Sequence, residues 1–169
     1  TLNVQGMTGG LIQMVNHGLS TGALFLLVGV VYERRHTRLI ADYGGIATVV
    51  PVYTGVFLLV TLSSIGLPGL NGFVGEFLIL AGSWQAAPAA VVGAGLGIIF
   101  GAVYMLWLVQ RVFWNPLVHA ENRQLTDMNP RELLAVLPLL VFIVWIGVHP
   151  NTFLEPMEAA VASLLAIGS

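Results

Sequence analysis

Two side chains stand out as ionisable in stretches otherwise without charge: His17, between Met7 and Tyr32, and Glu76, between Pro51 and Trp84. Glu76 follows Gly66, Pro68, Gly69, Gly72 and Gly75. Proline removes a backbone donor and glycine weakens a helix, so these residues predict an interruption just before the carboxyl. Unwound backbone at membrane depth is tolerated only inside protein or beside a water-filled cavity. A carboxyl there costs about 2.5–3.5 kcal/mol on insertion scales. Break and carboxyl both require a wet or polar interior. Desolvation disfavours the charged form of a carboxyl, and a proton relay needs a group that changes charge in place. Proton exchange at Glu76 is the predicted chemistry; the plainer alternative is a protonated carboxyl bonding helices together. Gln13, His17, Ser20 and Thr21 share one helix face by the i, i+3, i+4 rule, with Asn16 flanking. A histidine in such a stripe fits a hydrated proton path, although a lone histidine is also a common satisfied core residue. Thr54, Thr61 and Ser64 fall on roughly one face of residues 51–66. Their hydroxyls either orient water or bond back to their own helix.

The elements that position these groups follow from composition. The chain has 169 residues, 57% hydrophobic and 8% charged, with mean hydropathy +0.89. Soluble domains carry about 25% charged residues, so a soluble single domain lacks the charges to cover itself. High hydrophobicity excludes a disordered chain. A net charge of −2, with six arginines and no lysine, excludes nucleic acid as a partner. The absence of cysteine excludes disulfides, thiolate zinc sites and cysteine-ligated iron–sulfur clusters in this chain. The four histidines are scattered, so no metal site is expected. What remains is an all-α, polytopic transmembrane bundle in contact with lipid.

Four spans are predicted, at about 7–32, 51–84, 88–110 and 132–149. A straight helix over 51–84 would run about 51 Å, too long for one crossing and too short for two with a turn. It is therefore expected to be one discontinuous helix, broken near 67–72. Arg34, Arg35 and Arg38 lie in one loop, and Arg111, Arg123 and Arg131 in another. A single crossing by 51–84 puts all six on one side, the cytoplasmic one by the positive-inside rule, with the C-terminus outside. Arg111 with Trp107 and Trp114 suits an interfacial belt. Gly93, Gly97 and Gly101 form a small-residue face suited to close helix approach. Residues 153–167 are expected to form an interfacial helix or, failing that, a frayed tail. No charged segment with a cleavage site precedes the first apolar stretch, and the chain starts at Thr1; a piece of a longer protein is expected.

The run His17-Gly-Leu-Ser-Thr-Gly-Ala-Leu-Phe-Leu-Leu-Val-Gly, then Tyr32-Glu-Arg-Arg-His-Thr-Arg38, Gly44-Gly45 and Gly66-Leu-Pro-Gly-Leu-Asn-Gly-Phe-Val-Gly-Glu-Phe77 resembles the antiporter-like membrane subunits of proton-pumping NADH–quinone oxidoreductase, respiratory complex I, and among them the chain M (subunit 4) type. That resemblance covers nearly the whole chain. It implies helices 11 to 14 of a fourteen-helix subunit, with 51–84 as the second broken helix. It also implies that Glu76 is the terminal proton-site carboxyl of the second half-channel, where sister subunits commonly carry lysine. His17 would lie on the central hydrophilic axis. About 330 further residues, holding two buried lysines, would precede Thr1. No cofactor is expected in this chain: FMN, iron–sulfur clusters and quinone would belong to partner subunits, and the partners would be other membrane-arm subunits. The setting would be an energy-conserving membrane, most simply a bacterial plasma membrane. A cation/proton antiporter subunit without a redox partner, or a purely structural membrane scaffold, are the alternatives.

Overall fold

A computed structural model describes residues 3–167. Six α-helices form it: α1 (Val4–Arg35), α2 (Pro51–Ser64), α3 (Asn71–Ser83), α4 (Pro88–Val109), α5 (Pro130–Val148) and α6 (Asn151–Ile167). No strand occurs among the described residues. α1, α4 with its π-helical extension, and α5 are long and apolar enough to cross a membrane; α2 is a shorter apolar helix.

Local chemistry sets the helix ends. Asn3 caps α1 by accepting from the Gly6 N–H at 2.7 Å. α1 stops at His36, which has a left-handed backbone (φ 53°) and donates its N–H to the Tyr32 carbonyl at 2.7 Å. α2, α4 and α5 each begin on a proline, which needs no amide partner at that position. Asn129 and Glu132 close a capping box at the start of α5. The helical backbone of α4 continues as a π turn through Trp114, so the loop predicted from Arg111 begins later. Arg111 thus stays on a helix, its guanidinium 4.9 Å from the Trp107 ring centroid.

α1 reads along α2 and α3 in strict reverse order. The Asn3 amide donates to Gly82 O at 2.6 Å, Gly9 packs on Leu78, Gln13 packs on Gly75, and the Asn16 amide donates to Asn71 O at 2.7 Å. The hydroxyls of Ser20 and Ser63 meet at 2.7 Å, and Tyr53 donates to Leu27 O at 3.0 Å. α2 and α3 therefore make one antiparallel traverse beside α1, interrupted at 65–70. Both arginine-bearing loops consequently meet at one end. There Arg34 bridges to both oxygens of Glu132, at 2.8 and 2.7 Å, and Asp127 accepts from the N–H groups of Val52 and Tyr53 at the start of α2. Tyr53, Phe57 and Phe113 pack together nearby with tilted rings, their centroids 5.0–6.0 Å apart.

Among the described residues, close approach uses glycines other than those of α4. Within 4 Å of the Cβ positions of Gly93, Gly95 and Gly97 there is no described atom to meet. The tight contacts lie instead at Gly9 on α1, at Gly75 and Gly82 on α3, and at Gly147 of α5, which lies against the Gly69 and Leu70 backbone. Residues 151–167 are helical, and α6 turns Leu154 and Val161 inward.

Candidate functional site

The break is a built turn. Gly66 adopts φ 74°, and the Leu67 N–H reaches back to Leu62 O at 3.0 Å while the Gly66 N–H bonds Ser63 O at 3.3 Å. This pair is a Schellman motif, which satisfies carbonyls that the end of α2 would leave open. Gly69 supplies a second positive φ, at 92°. α3 restarts at Asn71 and presents Glu76 on its second turn. A glutamate oxygen, Oε2, occupies the space a Cβ on Gly66 would need. The carboxyl thus lies directly against the interrupted backbone.

A pocket of about 220 Å³ opens here, room for several waters at about 30 Å³ each. α1 lines it with Gln13, Asn16, His17, Ser20 and Thr21, α2 with Ser63 and Ser64, and α3 with Gly72 and Glu76; Tyr104 of α4 completes the wall. Among the described residues no group hydrogen-bonds the Glu76 carboxyl, which is half-buried and meets the pocket. His17 lies at the open side, with Nδ1 3.3 Å from the Thr21 hydroxyl. Amide and hydroxyl groups both donate and accept. The amides and hydroxyls in the wall, which also includes Leu24, Gly101 and Met105, can therefore orient water in either direction of proton flow.

The structure thus brings Glu76, His17, Gln13, Ser20, Thr21, Ser64 and Gly72 to one pocket. It leaves others out. Thr61 is fully buried, its hydroxyl without a hydrogen-bond partner, and lies outside the pocket wall. Pro68 and Gly69 are exposed on the far side of the turn, and Gly75 packs on Gln13. The hydroxyls of Thr54 and Ser64 donate back to the carbonyls of Val50 and Val60, at 2.8 and 2.9 Å. Their protons go to their own helix.

Three residues gain a role only from the structure: Asn71 and Ser63 at the break, and Tyr104 of α4 across the pocket. Asn71 is fully buried, with bonds to α1 and α2. An asparagine immediately after a predicted break, in an apolar run, was the available signal.

Residues 1–102 match the family described as NADH:quinone oxidoreductase/Mrp antiporter, TM. The chain belongs to this family. Two curated family relatives are NADH-ubiquinone oxidoreductase chain 4 of Marchantia polymorpha, 42% identical over 99% of this chain and 34% of the relative, and NADH-quinone oxidoreductase subunit M of Rickettsia typhi, 42% identical over 95% and 32%. The fold matches a chain in the structure titled respiratory complex I from Thermus thermophilus with bound NADH, with TM-score 0.86 and 36% identity over 96% of this chain and 34% of that one. This chain spans about a third of the length of the curated relatives it matches. Family membership and the long apolar helices make it a multi-pass membrane protein. It has the all-helical antiporter-like fold, and its homologues are subunits of an oxidoreductase complex.

Proposed function

We propose that this chain is part of a proton-translocating membrane-arm subunit of NADH–quinone oxidoreductase. Protons move along a hydrated axis past His17 to Glu76, which exchanges them with the half-channel leading outside. The observation that carries this reading is the Glu76 carboxyl at a helix break, facing a polar pocket that it shares with His17, Gln13 and Ser20. Electron transfer takes place in partner subunits, which hold FMN, iron–sulfur clusters and quinone, and drives the cycle electrostatically. Moving one charge against 100 mV costs about 2.3 kcal/mol, within the range that switching a buried carboxyl's surroundings supplies.

The membrane crossings on this reading are about 7–32, 51–84, 88–110 and 132–149, with 153–167 along the interface. The arginine loops face the cytoplasm and the C-terminus lies outside; in a bacterium the membrane is the plasma membrane. The test is Glu76→Gln in the complete complex, measuring protons pumped per quinone reduced. Pumping should fail with Gln and survive better with Asp. Normal rate and stoichiometry with Gln would refute the role. The family description also covers Mrp antiporters. Sodium-dependent proton movement in vesicles without quinone turnover would favour that second reading.

A further inference from the structure

A buried polar knot forms part of the pocket wall, where Asn16, Ser20 and Ser63 line the cavity and Asn71 joins them. Asn71, the first residue of α3, is inaccessible to solvent, as is Ser63; Asn16 is 1% exposed and Ser20 5%. The Asn16 amide donates to Asn71 O at 2.7 Å, and the Asn71 amide donates to Asn16 O at 3.3 Å. The Ser63 hydroxyl donates to Asn71 Oδ1 at 2.5 Å, and the two serine hydroxyls meet at 2.7 Å. Asn71 Nδ2 also reaches Ser20 Oγ at 3.4 Å. One side chain therefore ties the middle of α1, the last turn of α2 and the first turn of α3.

Its effect is geometric. The turn at 65–70 contains no side-chain bond that fixes how far α3 is offset from α2. Asn71 provides that reference. Its link to Ser63 sets α3 against α2, and its links to Asn16 and Ser20 set α3 against the stripe that carries Gln13 and His17. Glu76 follows five residues later on the same rigid helix, so its carboxyl inherits this register. Gly72, with no room for a Cβ beside Ser63 O, keeps the two half-helices in close contact.

We propose that Asn71, through the Asn16–Ser20–Ser63 knot, is a positioning residue for the Glu76 carboxyl. This rests on the proton-site reading of Glu76 for its functional consequence, but not for its geometric one. A misplacement of about 1 Å at a reacting group can cost about 100-fold. Asn71→Ala, in the complete complex, should therefore cut protons pumped per quinone reduced by about tenfold, well inside that limit. It should also change the rate at which a lipophilic carbodiimide labels Glu76, read by mass spectrometry per assembled complex. Ser63→Ala, which removes a single partner, should shift both readouts in the same direction and by less.

A purely structural asparagine would lower the amount of assembled complex and leave stoichiometry and labelling per complex unchanged; that result overturns the proposal. If Asn71→Ala does not assemble, Ser63→Ala decides by the rate of Glu76 labelling per assembled complex, and no shift in that rate overturns it. Glu76→Gln runs in parallel. Should that variant pump normally, the proton-site reading fails, and an altered labelling rate in Asn71→Ala still supports the positioning claim, while an unaltered one overturns it.

Discussion

Gly66→Ala tests whether the carboxyl's place against the break matters beyond the break itself. Alanine at φ 74° pays the left-handed penalty, roughly 1–2 kcal/mol. That is a factor of roughly 5–30 in a local equilibrium. The methyl also lands on Oε2 of Glu76, so the carboxyl must swing away from the turn. Gly69→Ala is the matched control. It adopts φ 92°, and its Cβ meets nothing within 4 Å. Both variants carry backbone strain, and only the first displaces the carboxyl. Both are made in the complete complex, and assembly, quinone reduction and proton pumping are measured. Similar losses of assembled protein are expected for the two. Protons pumped per quinone should fall in Gly66→Ala and hold in Gly69→Ala. Equal loss of coupling in both would show that strain in the turn, not the carboxyl's position, governs transport, and the reasoning would fail.

Three further outcomes follow from packing and charge. Arg34 bridges both oxygens of Glu132 with both side chains 16% exposed, so Arg34→Ala should lower the stability of the assembled protein by about 1.5–3 kcal/mol. Arg34→Lys should recover little, because a point charge cannot make the fork, and a full recovery of the thermal midpoint would contradict this. Asp127→Ala should cost about 1 kcal/mol and speed amide exchange in the first turn of α2, where its carboxylate accepts from Val52 and Tyr53 at 2.8 and 2.9 Å; unchanged exchange would refute the cap. Gly9→Ala places a methyl 2.7 Å from Leu78 Cβ and 2.8 Å from Ile79 N, an overpacking worth about 1–3 kcal/mol. The neighbouring Gly10→Ala meets nothing and should be neutral or stabilising by about 0.5–1 kcal/mol. Equal melting shifts for the two glycines would count against the α1–α3 contact.

The parts legible in the sequence are those set by one residue or its near neighbours. Pro68 with Gly66 and Gly69 stops a helix through backbone geometry alone, so the interruption was readable without knowing what surrounds it. Glu76 stood out because a charge in an apolar run is costly wherever the chain goes. Counting charges against crossings groups the arginines in two loops; that Arg34 meets Glu132 and Arg35 meets Asn122 is visible only in the fold. What escaped the sequence depends on partners far along the chain. Asn71 meets Asn16 across 55 residues and Ser20 meets Ser63 across 43. Ser64 looked like a water-orienting hydroxyl, and its bond to Val60 O shows the competing local partner winning. The glycine face of α4 is turned outward in this chain, which spans about a third of its relatives' length. Small residues permit close approach, but only an opposing helix uses it, and among the described residues none stands against Gly93 or Gly97.

An interrupted helix at membrane depth is costly because each unsatisfied backbone group in hydrocarbon loses several kcal/mol. Here the backbone of the interruption and the surface over it are treated differently. The backbone is satisfied: Thr61, Leu62 and Ser63 carbonyls accept from Ile65, Leu67 and Gly66, and the side-chain amides of Asn16 and Asn71 donate to each other's backbone carbonyls, while the Asn16 amide oxygen and the Thr61 hydroxyl stay buried without a partner. Toward the pocket, the surface is left to Glu76, whose carboxyl covers Gly66 and finds no protein partner among the described residues. The bonds that hold the turn do not include the carboxyl, so Glu76 can change protonation without breaking them.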